Sequence, residues 1–267
     1  MLFTSRTHVS PNPGTVRTME LLILGVGDAF TRKHFGSSGL LRSDSGLVLI
    51  DCPDPIHRVI AEASRRAGWQ VDAHDIHDIV LTHLHGDHCN GLESFGFLRR
   101  MTRAQGGDLP LPRIHCPQPV ADRLWERLAP AMDSPMADGR RSTLADYFEV
   151  QLLDPDEPRE IAGIEVSCRF TRHPIPTIGL RFRDQERIIG WSGDTPFEGD
   201  HVDWLSAAGL VVHECNRGPA HTPIEELEDL PQDLRRRIHL IHLPDDFDPT
   251  STSMHVLRPG DVLPQPN

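Results

Sequence analysis

One short stretch, Thr82-His83-Leu84-His85-Gly86-Asp87-His88, restricts what this chain can become more than any other feature. Four side chains of metal-ligand type, His83, His85, Asp87 and His88, fall within six positions. They directly follow residues 78–82 (DIVLT), an apolar run that reads as a buried strand. Neighbours such as Asp87 and His88 cannot share one face of a helix, whereas a turn can splay them to adjoining centres. Gly86 supplies the backbone freedom for that turn. Imidazole and carboxylate donors together suit Zn²⁺ first, with Mn²⁺ or Fe²⁺ as alternatives. Chance clustering competes, since the chain holds 16 histidines, but the tight spacing outweighs it.

One loop cannot close two metal shells, so further ligands must come from downstream. His173 follows the extended run 168–172, Asp194 lies in Trp191-Ser192-Gly193-Asp194-Thr195 just after a strand, and His242 ends the apolar run 238–241. Alone, each reads more readily as structural. Sharing a place after strands, in a chain that already has a metal loop, they read as ligands. A carboxylate such as Asp194 has two oxygens and can bridge two cations.

The rest of the pattern fits one layered architecture. Short apolar runs at 20–25, 46–51, 113–116, 149–153, 164–171, 177–183, 187–192 and 210–214 read as strands. Helical spacing marks 55–68, 91–103, 120–128 and 202–208, with helical turns at 223–230 and 232–237. Two successive β-rich halves, each carrying helices, predict an α/β fold, a four-layer αββα sandwich over residues 19–267. Residues 1–18 read as a loose leader, 130–142 as the least ordered interior segment, and 244–267 as a polar tail. No apolar run reaches membrane-spanning length and no signal peptide is evident, so cytoplasmic residence is expected. Five scattered cysteines argue against a disulfide framework; Cys89, beside His88, is expected to pack rather than react.

HxHxDH at His83–His88 with His173, Asp194 and His242 in this order resembles the metallo-β-lactamase superfamily. Gly25-Val26-Gly27-Asp28-Ala29-Phe30, Ser37-Ser38 and Ile50-Asp51-Cys52 resemble that fold's opening strands. Ser192-Gly193-Asp194-Thr195, His213-Glu214-Cys215 and His221-Thr222-Pro223 resemble its ribonuclease Z-like and phosphodiesterase branch. The resemblance implies one metal held by His83, His85 and His173, a second by Asp87, His88 and His242, and Asp194 bridging. It also implies a homodimer. Two such ions can acidify a shared water and clamp a phosphoryl oxygen. His221 is then the candidate proton donor to the leaving alkoxide, with Glu214 orienting and charging its ring. Asp87 is expected to assist deprotonation of the water, and Asp51 to brace the loop without binding metal.

These readings favour a dinuclear phosphodiesterase acting on a small substrate, a cyclic nucleotide or short nucleotide diester, through a metal-activated hydroxide. Net charge is 27 − 39 = −12, which repels polyanions, and no long basic insertion is present to grip a transfer RNA. A ribonuclease Z-type endonuclease and a carboxylic-ester or lactone hydrolase remain the alternatives, and a catalytically silent scaffold is disfavoured by the full ligand set. Arg235-Arg236-Arg237 and Arg99, Arg100 and Arg103 read as solvated charge, and His74, His77, His115, His201 and His255 as surface residues.

Overall fold

Alternation along the first strand sets the layering. In a computed structural model describing residues 19–185 and 187–264, β1 (Glu20–Gly25) turns Leu22 and Leu24 to one side and Leu21 and Ile23 to the other. All four are fully buried, so the strand must be covered on both faces. Each such side chain removed from water contributes roughly 1.5–3 kcal/mol. The expected leader at 1–18 lies outside the described residues.

The first sheet begins as an antiparallel meander of β1, β2 (Ser38–Arg42) and β3 (Leu47–Ile50). It continues in parallel through β4 (Asp78–Val80), β5 (Arg113–Cys116) and β6 (Glu149–Leu152). Parallel strands need long crossovers, and these are α1 (Ile56–Ala67), the consecutive α2 (Gly86–Cys89) and α3 (Gly91–Ala104), and α4 (Gln118–Met132). In α1 the buried Ile56, Val59, Ile60 and Ala63 form the inward stripe. Gly68 then stops the helix in a left-handed conformation, φ 71°, as a side chain there rarely could.

The second half repeats the plan. β7 (Arg159–Ile161), β8 (Ile164–Phe170), β9 (Ile178–Arg183) and β10 (Ile188–Trp191) run antiparallel; β11 (Leu210–Glu214) and β12 (Ile238–Ile241) then run parallel to β10. Their crossovers are α5 (Gly199–Leu205), then α6 (Ile224–Glu228) and α7 (Gln232–Arg235). Three apolar layers result: helices on the first sheet, sheet on sheet, and helices on the second. This is the expected αββα sandwich. No helix among the described residues is long and apolar enough to cross a membrane.

Several local expectations are corrected. The segment 244–264 is not a bare tail: β13 (His255–Val256) extends the second sheet beside β12, and β14 (Val262–Leu263) extends the first beside β1. Its isolated apolar residues, Met254, Leu257 and Leu263, are buried because each meets a sheet edge. The helix α4 continues through Pro130 to Met132, so only 133–142 is irregular. Arg99 is not solvated. It is fully buried, donating to the carbonyls of Ala73, His74 and Pro110 and bonded to His77 Nδ1. Arg100 lies over the Tyr147 ring, and Arg237 donates to the carbonyls of Ser206 and Ala208. Arg235 is half-buried against Glu228, while Arg103 and Arg236 are exposed. His115 and His201 are buried and His74 and His77 half-buried; of the five histidines, only His255 is exposed. All five cysteines, Cys89 included, are free and buried.

Candidate metal centre

β4 runs straight into the metal loop, and Asp51, at the end of β3, holds that loop in place. Thr82 donates its backbone N–H to Asp51 Oδ1 at 2.7 Å and its hydroxyl to Oδ2 at 2.8 Å. Asp51 Oδ2 also lies 2.8 Å from His88 Nδ1. Asp51 is completely buried and has a left-handed backbone, φ 57°, as does His242 at φ 60°. Two strained non-glycine residues at one place are held there only because the surroundings over-determine them. One expectation for the loop is corrected. Gly86 is not in the left-handed region; it opens the helical turn α2, and a side chain there would press on Asn90. Within that turn Asp87 and His88 reach the same cluster, 3.3 Å apart, instead of splaying to two.

All seven predicted ligand residues converge. His85 Nδ1 lies 3.1 Å from His83 Nε2 and 2.9 Å from His173 Nε2, which makes one group of three ring nitrogens. His242 Nε2 lies 3.2 Å from Asp87 Oδ2, which with His88 Nε2 makes a second. Asp194 stands between them. Its Oδ2 is 3.7 Å from His83, 3.9 Å from His173 and 3.5 Å from His242, and its Oδ1 is 3.5 Å from His88. Gly193 delivers this carboxylate from the end of β10: its φ is +61°, and a Cβ would sit 2.3 Å from the Ile178 carbonyl oxygen. Only glycine fits that corner.

The donor chemistry fits divalent cations. Burial lowers His83 well below the usual imidazole range, lowers His85, and brings His173 to about 4. Neutral rings offer lone pairs, the form in which histidine binds metal. Burial also disfavours the charged forms of His88 and His242, but Asp194 overrides it in both, with Asp51 and Asp87 adding, so these rings are raised. Burial likewise opposes ionised Asp194 and Asp87, yet the facing histidines hold both carboxyls low. His88 Nε2 is buried and lies 3.3 Å from Asp87 Oδ2 and 3.5 Å from Asp194 Oδ1 without a hydrogen bond of good geometry to either, so part of its bonding capacity is left over. The outward nitrogens are held as metal-binding histidines usually are: His88 by Asp51, His83 by the Thr82 hydroxyl at 3.0 Å, His173 by the Ala220 carbonyl at 3.1 Å. The Ala220 contact was not legible in the sequence, because any residue carries a carbonyl.

Beside the cluster stands the predicted acid–histidine pair. His221 Nδ1 is 3.0 Å from Glu214 Oε1, and the other ring nitrogen has no hydrogen bond among the described residues. The His221 ring lies 5.2 Å from that of His242 and 5.5 Å from that of His173. Burial, with Asp194 nearby, pushes the Glu214 carboxyl well up; the Thr195 backbone N–H, at 2.8 Å, works against this. The Ser192 hydroxyl accepts from the Glu214 backbone N–H at 2.8 Å, fixing β11 to the end of β10.

Comparison with known proteins places this geometry. The family model described as "Anti-Pycsar protein Apyc1" matches residues 19–260. The chain belongs to the Anti-Pycsar protein Apyc1 family. It is 30% identical over 261 residues to the Anti-Pycsar protein Apyc1 of Paenibacillus sp. (strain J14), across 91% of this chain and 98% of the relative. Among solved structures it is similar to the metallo-β-lactamase fold protein YhfI from Bacillus subtilis, with a TM-score of 0.74 and 17% identity, over 91% of this chain and 98% of that one. It is also similar to the short form of human tRNase Z, at 0.66 and 22%, over 93% and 100% of the two chains. At those identities the likeness shows the fold alone, and that fold is the metallo-β-lactamase fold. The family member described here is a metal-dependent hydrolase.

Proposed function

We propose that this family member is a dinuclear phosphodiesterase that hydrolyses a small phosphodiester, a cyclic nucleotide or short nucleotide diester. The observation that carries the reading is the His221–Glu214 pair beside the ligand cluster, with ligand atoms of Asp194, His221 and His242 within 4.8 Å of one another. A phosphodiester with a poor leaving group releases an alkoxide that must be protonated, and a histidine held by a carboxylate at the edge of the cluster is placed to do that. A lactone releases an alkoxide too, so a substrate panel separates the two.

His83, His85 and His173 would hold one ion and Asp87, His88 and His242 the other, with Asp194 between them and Zn²⁺ the preferred metal for this histidine-rich set. Bound there, two divalent cations would acidify water and neutralise charge on the phosphoryl oxygens. The protein's own groups do the rest. Asp87 uses Oδ2 towards His88 and His242, which leaves Oδ1 to accept a hydrogen bond from the attacking water and take up its proton. Water oxygen forms a bond to phosphorus while the bond to the leaving alkoxide breaks. His221 gives a proton to that alkoxide from the ring nitrogen that does not face Glu214, while the Glu214 contact at Nδ1 fixes the orientation of the ring. The products are a phosphomonoester and an alcohol.

A panel with Zn²⁺ or Mn²⁺ tests this: bis-p-nitrophenyl phosphate, purine and pyrimidine 3′,5′-cyclic nucleotides, a transfer RNA precursor and a lactone. Hydrolysis of cyclic nucleotides is expected, and hydrolysis of the lactone alone would overturn the reading. Cleavage of the precursor alone would favour the endonuclease. The dimer suggested by the resemblance is read from solution mass by light scattering.

A further inference from the structure

Two open clefts meet at Gly86, on either side of the metal loop, and they differ in charge. The first, about 470 Å³, carries Asp28, Asp54 and Asp87, with His34 the one basic side chain lining it among the described residues. The second, about 460 Å³, is walled by Leu84 and His85 of the loop, Ile175, and a stripe of α4. Both volumes suit a nucleotide-sized ligand.

The α4 stripe consists of Arg123, Glu126, Arg127 and Pro130, at i, i+3, i+4 and i+7, hence one face of the helix. Val120, Leu124, Leu128 and Met132 anchor the opposite face in the core, so the stripe is rigidly mounted. Arg127 is pinned to Asn90 Oδ1 at 2.6 Å, and Asn90 packs against Gly86. Arg123 and Glu126 are exposed and make no hydrogen bond or ion pair among the described residues. A carboxylate set between two arginines is a poor receiver for phosphate, which offers acceptors only. It suits a group that presents donors and acceptors side by side, as a nucleobase edge does. Leu84, Ile175 and Pro130 supply apolar surface for the faces of the ring.

We infer that this cleft is the nucleobase subsite of the proposed phosphodiesterase, with Arg123 and Glu126 reading the edge of the base and Arg127 as the fixed cation between base and metal loop. The inference rests on the phosphodiesterase reading. These are positioning residues, so their loss weakens binding of the nucleoside portion and spares the chemistry at phosphorus.

Steady-state kinetics on the metal-loaded enzyme tests this with two substrates, a 3′,5′-cyclic nucleotide and bis-p-nitrophenyl phosphate, which has no base. Equilibrium binding of a non-hydrolysable cyclic phosphorothioate supplies a readout independent of turnover. Arg123→Ala and Glu126→Gln are each expected to raise KM and Kd for the cyclic compounds about 10- to 100-fold, the worth of one charge-assisted hydrogen bond. Turnover number and the rate on bis-p-nitrophenyl phosphate stay near wild type, and Arg123→Lys recovers part of the loss. His34→Ala, in the other cleft, changes neither constant. Unchanged cyclic-nucleotide constants in Arg123→Ala and Glu126→Gln, or an equal fall on both substrates, would overturn the subsite. So would a rise in KM with His34→Ala alone. If wild type cleaves neither diester, the phosphodiesterase reading fails and takes the subsite with it; if wild type cleaves both and the variants match it, only the subsite fails.

Discussion

Strand β4 has a buried polar cluster at each end, and the two are built on opposite principles. At its start, Asp78 accepts from Arg113 Nε at 2.7 Å and Nη2 at 2.6 Å, and meets His115 Nε2 at 2.7 Å. Acid faces base there, and both carboxylate oxygens are occupied. Past its other end, His83, His85 and His173 turn ring nitrogens at one another, and His88 Nε2 has no hydrogen-bond partner among the described residues, only carboxylate oxygens at 3.3 and 3.5 Å. Folding alone gains little from neutral imidazoles in mutual contact, and a buried polar atom without a partner costs about 1–3 kcal/mol. A histidine beside an aspartate can therefore be ordinary structure, as at His115. His115 too leaves one buried ring nitrogen, Nδ1, without a hydrogen-bond partner among the described residues; what separates the metal centre is that its ring nitrogens and carboxylate oxygens converge on one another.

Removing the carboxylate that both metal groups share should separate the two ends most sharply. Asp194→Asn is expected to lower bound metal at both groups and take diester hydrolysis to background, read by elemental analysis and by bis-p-nitrophenyl phosphate assay. Asp78→Asn, the same chemical change at the other end of the strand, should keep both metals and full turnover. Equal metal loss in the two variants would erase the distinction. His85→Ala should resemble Asp194→Asn, losing metal and activity together.

His221→Ala comes next in size. Both metals should stay, while turnover on a diester with a poor leaving group falls by about 10²- to 10⁴-fold, the usual worth of a general acid. On p-nitrophenyl esters, whose leaving group needs no proton, the loss should be much smaller. A wild-type rate on the poor leaving group would remove His221 from the mechanism. Asp51→Asn should have a milder effect, because Asp51 touches His88 directly and His83 only through Thr82. Metal affinity is expected to fall about 10- to 100-fold with the fold intact, measured by competition with a chromogenic chelator.

What the sequence disclosed and what it concealed follow the same division. The ligands were legible because metal chemistry confines donor types and crowds them: four in the loop, then one each after β8, β10 and β12. The layers were legible because strands buried on both faces must be apolar throughout, as β1 is. Arg99 and His115 were misread as solvated, since a charged side chain looks the same in sequence whether it meets water or three carbonyls. The two last strands were concealed by their length, two residues each, too short for any periodicity. The Arg123–Glu126–Arg127 stripe was invisible for another reason: charge on the outer face of an amphipathic helix is the rule, and only the neighbouring loop makes this face a wall.

The smallest effect concerns the Asp78 cluster, and it appears as acid sensitivity. Burial pushes the Asp78 carboxyl up, but the hydrogen bonds from His115 and Arg113 and their charges outweigh it and hold the group at about 2 against an ordinary 3.8. A carboxyl lowered by folding stabilises the native state wherever the unfolded chain would also be ionised. That contribution is fully present above about pH 4 and is lost as pH falls towards 2. Arg113 is 44% exposed, so solvent screening reduces the gain to about 1–2 kcal/mol. Urea midpoints for wild type and Asp78→Asn should therefore differ at pH 6 and converge between pH 4 and pH 2. Comparing the two proteins at each pH cancels the titration of the metal ligands, which both share. A gap that stayed constant down to pH 2 would mean that Asp78 acts through packing and hydrogen-bond shape, with its charge contributing nothing.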